Sequence, residues 1–190
     1  MRDRCLGAMA VVRTLVVVLL VLGSVGGERV FADTSASTTA SLNVGPTSDT
    51  TFAVAVSGST FSAVTYRTGS SFQNASGSVV ITVVDARGTG AGWTVSLAAS
   101  GDLKSGASSI PINALSFQPA SVQGQNGANP NGINRYALTM SAQSQRVLVA
   151  TNGSGKGTFV CALQGTIRVP DRTAAGTYTT TLTVTLVSGS

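Results

Sequence analysis

The closing stretch TYTTTLTVTLV admits one regular backbone conformation. Tyr178, Leu182, Val184 and Leu186 fall on one side of an extended chain, and Thr179, Thr181, Thr183 and Thr185 on the other, because strand side chains alternate with period two. The same period recurs upstream. TFAVAVS aligns Phe52, Val54 and Val56, and GWTVSLAAS aligns Trp93, Val95, Leu97 and Ala99. RYALTM groups Tyr136, Leu138 and Met140, and GTFVCALQGTIRV groups Phe159, Cys161, Leu163, Ile167 and Val169. SVVITVVD is apolar on both faces from Val79 to Val84, which predicts a central strand or a sheet with a covered back. No comparable helical period is present. Short strands separated by Gly, Ser, Asn and Pro clusters predict an all-β fold, a single Ig-like or Greek-key β-sandwich.

Three segments read as loops: GDLKSGASS after Ser100, QPASVQGQNGANPNGIN around residues 118–134, and NGSGKG at 152–157. A structureless loop as long as the second is uncommon and is often functional.

The N-terminus differs in kind. Arg2, Arg4 and Arg13 precede an apolar run from Leu15 to Leu22, and small residues with a Val30-Phe31-Ala32 step follow. That layout predicts a secretory signal peptide over residues 1–32, cleaved after Ala32, with an uncleaved anchor as the rival. The run is short for a membrane-spanning helix, which needs about 20 apolar residues. Residues 33–38 are a polar leader, and 39–190 form the sandwich domain. A chain of about 150 residues buries enough surface to fold as one domain.

Composition narrows the function. Only 10% of the chain is charged, against about 25% in ordinary domains, and histidine is absent. Histidine-dependent triads, histidine-ligated zinc sites and histidine pH switches are thereby excluded. The signal segment holds four arginines, Asp3 and Glu28, so its removal lowers the net charge from +5 to +3. The carboxylates left are Asp33, Asp49, Asp85, Asp102 and Asp171, none in a paired or metal-loop pattern. Cys5 leaves with the signal, and Cys161 stays as a lone thiol in a core-facing row, a structural residue. Lys104 and Lys156 sit in Gly/Ser-rich loops, where a solvated charge is the ordinary role. These residues predict no enzyme, no metal and no cofactor. The scattered arginines form no basic stripe for nucleic acid.

Trp93, after the glycine-rich turn 87–92, has two readings: a core anchor closing one end of the sandwich, or a platform on which a sugar ring stacks. In VPDRTAAGTY, Pro170 ends a strand and Tyr178 begins the next, similar to the corner of Ig-like sandwiches where a tyrosine hydroxyl bonds back to nearby backbone. The threonine row 179/181/183/185 is either a hydroxyl surface for a polymer or a solvated strand face.

Two segments resemble the WxL family of cell-surface proteins, whose C-terminal domain attaches non-covalently to the peptidoglycan wall. VVITVVDARGTGAGWTVSLAAS is similar to its strand, Asp-x-Arg-Gly turn and Gly-Trp-x-Leu strand, and IRVPDRTAAGTYTTTLTVTLV to its closing Val-Pro, Ala-Gly-x-Tyr and Thr-x-Thr-Leu pattern. The namesake positions read Trp93-Thr94-Val95 and Val184-Thr185-Leu186, so the second tryptophan is missing and a mechanism needing two indoles is excluded. The resemblance implies a secreted, wall-associated protein with peptidoglycan or an associated glycan as partner, its ligand residues among Trp93, Thr94, Val95, Val184, Thr185 and Leu186. The alternative is a structural subunit of a filament or surface layer that pairs strand edges with itself or with other exported surface proteins.

Overall fold

The computed structural model describes residues 13–22, 37–42, 52–58, 61–65 and 71–189. In chain order the strands are β1 (Arg13–Leu22), β2 (Ser37–Leu42), β3 (Phe52–Ser57), β4 (Phe72–Asp85), β5 (Trp93–Ala99), β6 (Leu103–Ser105) and β7 (Ser108–Ile110). After a 3-10 turn at Ile112–Ala114 come β8 (Leu115–Gln125), β9 (Ile133–Arg135), β10 (Leu138–Thr139), β11 (Gln145–Ala150), β12 (Gly157–Pro170) and β13 (Thr180–Ser188). No α-helix occurs among the described residues.

A six-stranded sheet runs β2-β1-β13-β5-β11-β9 and a five-stranded sheet runs β10-β8-β12-β4-β3, with β6 and β7 as a separate hairpin. Every strand pair among the described residues is antiparallel. The chain swaps sheets between β4 and β5, again between β11 and β12, and between β12 and β13, so both sheets contribute to one apolar cluster. The alternating rows supply that cluster: Trp93, Val95, Leu97 and Ala99 of β5 and Leu182, Val184 and Leu186 of β13 meet Ile81 and Val83 of β4 and Phe159, Cys161 and Leu163 of β12. The all-β sandwich expectation holds. So does the central placement of 79–84, since β4 lies between β12 and β3; Val79, Ile81 and Val83 are buried and Val80, Thr82 and Val84 half-buried.

Three local expectations are corrected. Tyr136 does not share a row with Leu138 and Met140: it is 42% exposed while they are buried. The chain leaves one sheet after β9 and joins the other at β10, and the crossing at Tyr136 and Ala137 breaks the alternation. The long segment near 118–134 is not structureless. Residues 118–125 extend β8 along β12, and the turn of residues 126–132 leads into β9. GDLKSGASS folds into the β6–β7 hairpin, where Leu103 pairs with Ile110. The 152–157 loop remains a loop, joining β11 to β12.

Most of the segment expected to be an export signal lies outside the described residues, but 13–22 are described. They form β1, seated between β2 and β13. The leader expected at 33–38 overlaps β2 at Ser37 and Thr38.

Candidate functional site: the loop end around Trp93

The register brings the two Trp-x-Leu-like segments side by side. Ser188 pairs with Trp93, Val187 with Thr94, Leu186 with Val95, Thr185 with Ser96 and Val184 with Leu97. Alternation then divides their roles. Trp93, Val95, Val184 and Leu186 are core residues at 0–1% exposure, and Thr94 and Thr185 lie half-buried on the opposite face.

Trp93 therefore offers no face to a ligand, and the stacking reading of its ring is corrected in favour of the core anchor. Its polar atom explains the position. Indole Nε1–H donates to the carbonyl of Gly155 at 2.9 Å, and the ring lies against Phe159 with centroids 6.1 Å apart. A buried tryptophan N–H needs such an acceptor. Gly155 fits because it is buried at φ +79°, and a Cβ there would stand 2.5 Å from the indole nitrogen. The tryptophan is thus a post that holds the 152–157 loop from below.

Three loops gather over that post. Gly153 N–H donates to Gly90 O at 2.7 Å, which ties the 152–157 loop to the turn before β5. Thr151 N–H donates to Gly132 O at 3.0 Å, which ties its start to the turn before β9. The first turn is fixed by Arg87. Its Nε and Nη2 each donate to the buried Asp85 carboxylate at 2.8 Å, a two-point ion pair, and Nη2 also reaches Gly92 O at 3.3 Å. The same guanidinium donates through Nη1 to the Ser188 hydroxyl and lies 3.7 Å from the centroid of the Phe52 ring. Asp85 is 1% exposed, so the carboxylate end of this ion pair is shielded from water.

Between the loops lies an open cleft of about 450 Å³, lined in part by Gln125, Asn126, Lys156 and Thr158, together with Asp85 and Gly88. Gln125, Asn126 and Lys156 are exposed, and Thr158 is half-buried. The cleft presents amide, hydroxyl and ammonium groups, which suit a polyhydroxylated or anionic ligand. Asp85, its one carboxylate, is engaged by Arg87, so no acid/base pair faces the cleft. Among the described residues no group of His, Cys, Asp or Glu is arranged to hold a metal.

Of the cleft residues, Asp85 and Lys156 were weighed from the sequence as an unpaired carboxylate and a solvated loop cation, Gln125 and Asn126 only as part of a loop, and Thr158 not at all. Gln125 and Asn126 lie more than 30 positions before Thr158 and meet it only because β8 pairs with β12, placing Gln125 opposite Thr158.

Tyr178 is buried, and its hydroxyl donates to Ala174 O at 2.7 Å, the predicted corner. Cys161 is a buried free thiol whose sulfur lies 3.5 Å from Ala120 O; burial pushes its pKa up, against smaller opposing effects of Arg135 and that hydrogen bond. An inert core thiol follows. Among the described residues Phe72 and Tyr136 are the exposed large hydrophobics, each with an arginine near its ring, Arg168 at 4.0 Å and Arg146 at 6.0 Å from the centroid.

No curated protein and no solved structure matches the chain. The profile of one family does, over residues 32–189: the WxL domain, described as surface cell wall-binding. With the Asp85–Arg87–Gly88 turn, Trp93 and the Tyr178 corner all inside that span, the chain belongs to the WxL domain family of surface cell wall-binding proteins.

Proposed function

We propose that this is an exported, non-catalytic wall-binding module that holds peptidoglycan or an associated wall glycan in the cleft at the Trp93 end. The observation that carries this reading is the cleft itself: a loop after β11 hydrogen-bonded to the turns before β5 and β9, pinned by Trp93 and Arg87, with Gln125, Asn126, Lys156 and Thr158 lining the opening. Lys156 supplies a cation for the carboxylates or phosphates of wall polymers, and the amides and hydroxyl supply hydrogen bonds to sugar oxygens. Trp93 acts as a positioning residue. Thr94, Val95, Val184, Thr185 and Leu186 build the sheet that carries the loops and do not touch the ligand. Export through residues 1–32 is supported by the basic start, the apolar run and the small residues before Asp33, and the family match begins at residue 32.

Edge-to-edge assembly is the weaker reading on the β9/β10 side. Both outer strands there are short, three and two residues, and Arg135 stands on β9, all devices that discourage strand addition.

Co-sedimentation with purified sacculi tests the proposal. The exported protein pellets with sacculi, and a K156A/N126A variant of unchanged thermal stability stays in the supernatant about tenfold more, the effect of losing roughly 1.4 kcal/mol of binding. Equal pelleting of variant and parent removes the cleft as the site. Sacculi stripped of secondary polymers separate the two ligands: retained binding assigns peptidoglycan, and lost binding assigns the attached polymer.

A further inference from the structure

The strand beside β13 belongs to the segment that the sequence marks for removal. β1 pairs with β13 from Arg13 opposite Leu186 to Leu19 opposite Thr180, and β2 pairs with β1 alone among the described strands. The family match starts at residue 32, so it takes in β2 and β13 and leaves β1 out. Cleavage after Ala32 would strip β13 of its neighbour and β2 of its only partner.

We infer that in the exported chain residues 37–42 move across by one strand and pair directly with β13, closing the slot that β1 fills in the precursor. This rests on the export reading of residues 1–32.

The registers support the exchange. Leu42 is opposite Val17, which is opposite Leu182; Ser41, Val18 and Thr181 form the next row, and Ala40, Leu19 and Thr180 the next. β2 therefore already lies level with β13 and parallel to it, since each is antiparallel to β1. A sideways step of about 4.8 Å, one strand spacing, brings the two together with no change of level and no change of face.

The chemistry of the rows favours the leader over the signal as the lasting occupant. β13 buries Leu182 and Val184 on one face and presents half-buried Thr181, Thr183 and Thr185 on the other. STTASL alternates to match, placing Ala40 and Leu42 in the rows of Thr180 and Leu182, and Ser41 in the row of Thr181. In LVVVLLVL every position is apolar, so a strand built from it also sets apolar residues in the hydroxyl rows. The covalent connection favours the chain's own leader over a second copy, because a short tether holds its strand at an effective millimolar concentration.

The amides that report the pairing can be named. Ser100 N–H donates to Thr181 O and Thr181 N–H is directed to the Ser100 hydroxyl, so odd-numbered residues of β13 bond toward β5. The even-numbered Thr180 and Leu182, level with Ala40 and Leu42, then direct their N–H groups into the slot.

The test is hydrogen exchange on the processed protein recovered from the medium, with its N-terminus sequenced. The expected result is an N-terminus at Asp33, a monomer by light scattering, and amides of Thr180 and Leu182 slowed about 100-fold relative to an otherwise identical exported chain lacking residues 33–42. Adding a peptide of residues 33–42 to the shortened chain restores the protection. An N-terminus still at Met1 overturns cleavage after Ala32 and the vacancy with it. A processed chain in which these amides exchange as fast as in the shortened one overturns the strand shift alone, and so does a processed dimer that loses their protection on dilution, since a second copy then fills the slot.

Discussion

The two ends of the sandwich solve one problem in two ways. Each buries an aromatic ring whose polar tip donates to a loop carbonyl: Trp93 Nε1–H to Gly155 O at 2.9 Å, and the Tyr178 hydroxyl to Ala174 O at 2.7 Å. The tyrosine reaches four residues back along its own connection, whereas the tryptophan reaches 62 residues forward to a different one. A local tie stiffens a corner that its own sequence already specifies. The distant tie makes one loop depend on the whole fold, and it is the distant tie that lies under the cleft. A binding surface assembled from separate loops needs such a post, since no single loop can set the others' positions.

The sharpest way to break this comparison is to remove the post. Trp93→Ala should cost about 3–5 kcal/mol in denaturant unfolding, the range for deleting a large buried ring. Trp93→Phe keeps most of the ring and loses the N–H, so the fold survives, amide exchange quickens across 152–157, and sacculus binding falls with no change at 170–178. Equal quickening at both ends would show that the tie is not local to the cleft. The parent's emission should be blue-shifted and resistant to quenchers, as befits an indole at 0% exposure.

A narrower break acts on the carbonyl side. Gly155→Ala puts a methyl 2.5 Å from the indole nitrogen and from the Ala150 side chain, at φ +79°, and should cost about 2–3 kcal/mol by thermal unfolding. Gly153→Ala, at φ +86° with open space around its Cβ position, carries the backbone strain alone, about 1 kcal/mol. If the two cost the same, close packing against Trp93 contributes nothing.

At the other end the effect should be smallest. Tyr178→Phe loses one hydrogen bond, about 1 kcal/mol at neutral pH, with wall binding unchanged. Its pH dependence sharpens the contrast. Burial pushes the Tyr178 pKa up, with a Ser108 hydrogen bond opposing. The unfolded chain therefore ionises first: the stabilisation is complete below about pH 10 and is lost as pH rises from there through the folded pKa. Urea midpoints measured across the alkaline range should fall more steeply for the parent than for the phenylalanine variant.

The same contrast separates what could be read in the sequence from what could not. The Tyr178 corner was legible because Pro170, Gly176 and Tyr178 lie within nine positions, and the strands were legible wherever one face was apolar. Tyr136 misled because the chain changes sheets beside it, and a two-residue crossing has no compositional mark. Trp93 was legible as a large residue opening a strand, but its burial depends on Gly155 and Phe159, more than 60 positions away, which only the folded sheets bring to it. The cleft was least legible of all: Gln125 and Thr158 become neighbours through the β8–β12 ladder, and polar residues in glycine-rich turns look alike until that pairing is known.

The Arg87 guanidinium bears on time as well as structure. It joins Asp85, Gly92, Phe52 and Ser188, the last 101 residues away, so it can close only after the ends of four strands have arrived. Contacts of such long span form late, after the folding barrier, and so act mainly on the rate of opening. Arg87→Lys, which loses the two-point geometry, should steepen escape from the native state far more than it slows refolding, as the unfolding limb of a chevron would record. For a domain working outside the cell, where no chaperone repairs an opened copy, a slow exit from the folded state sets how long each molecule lasts on the wall.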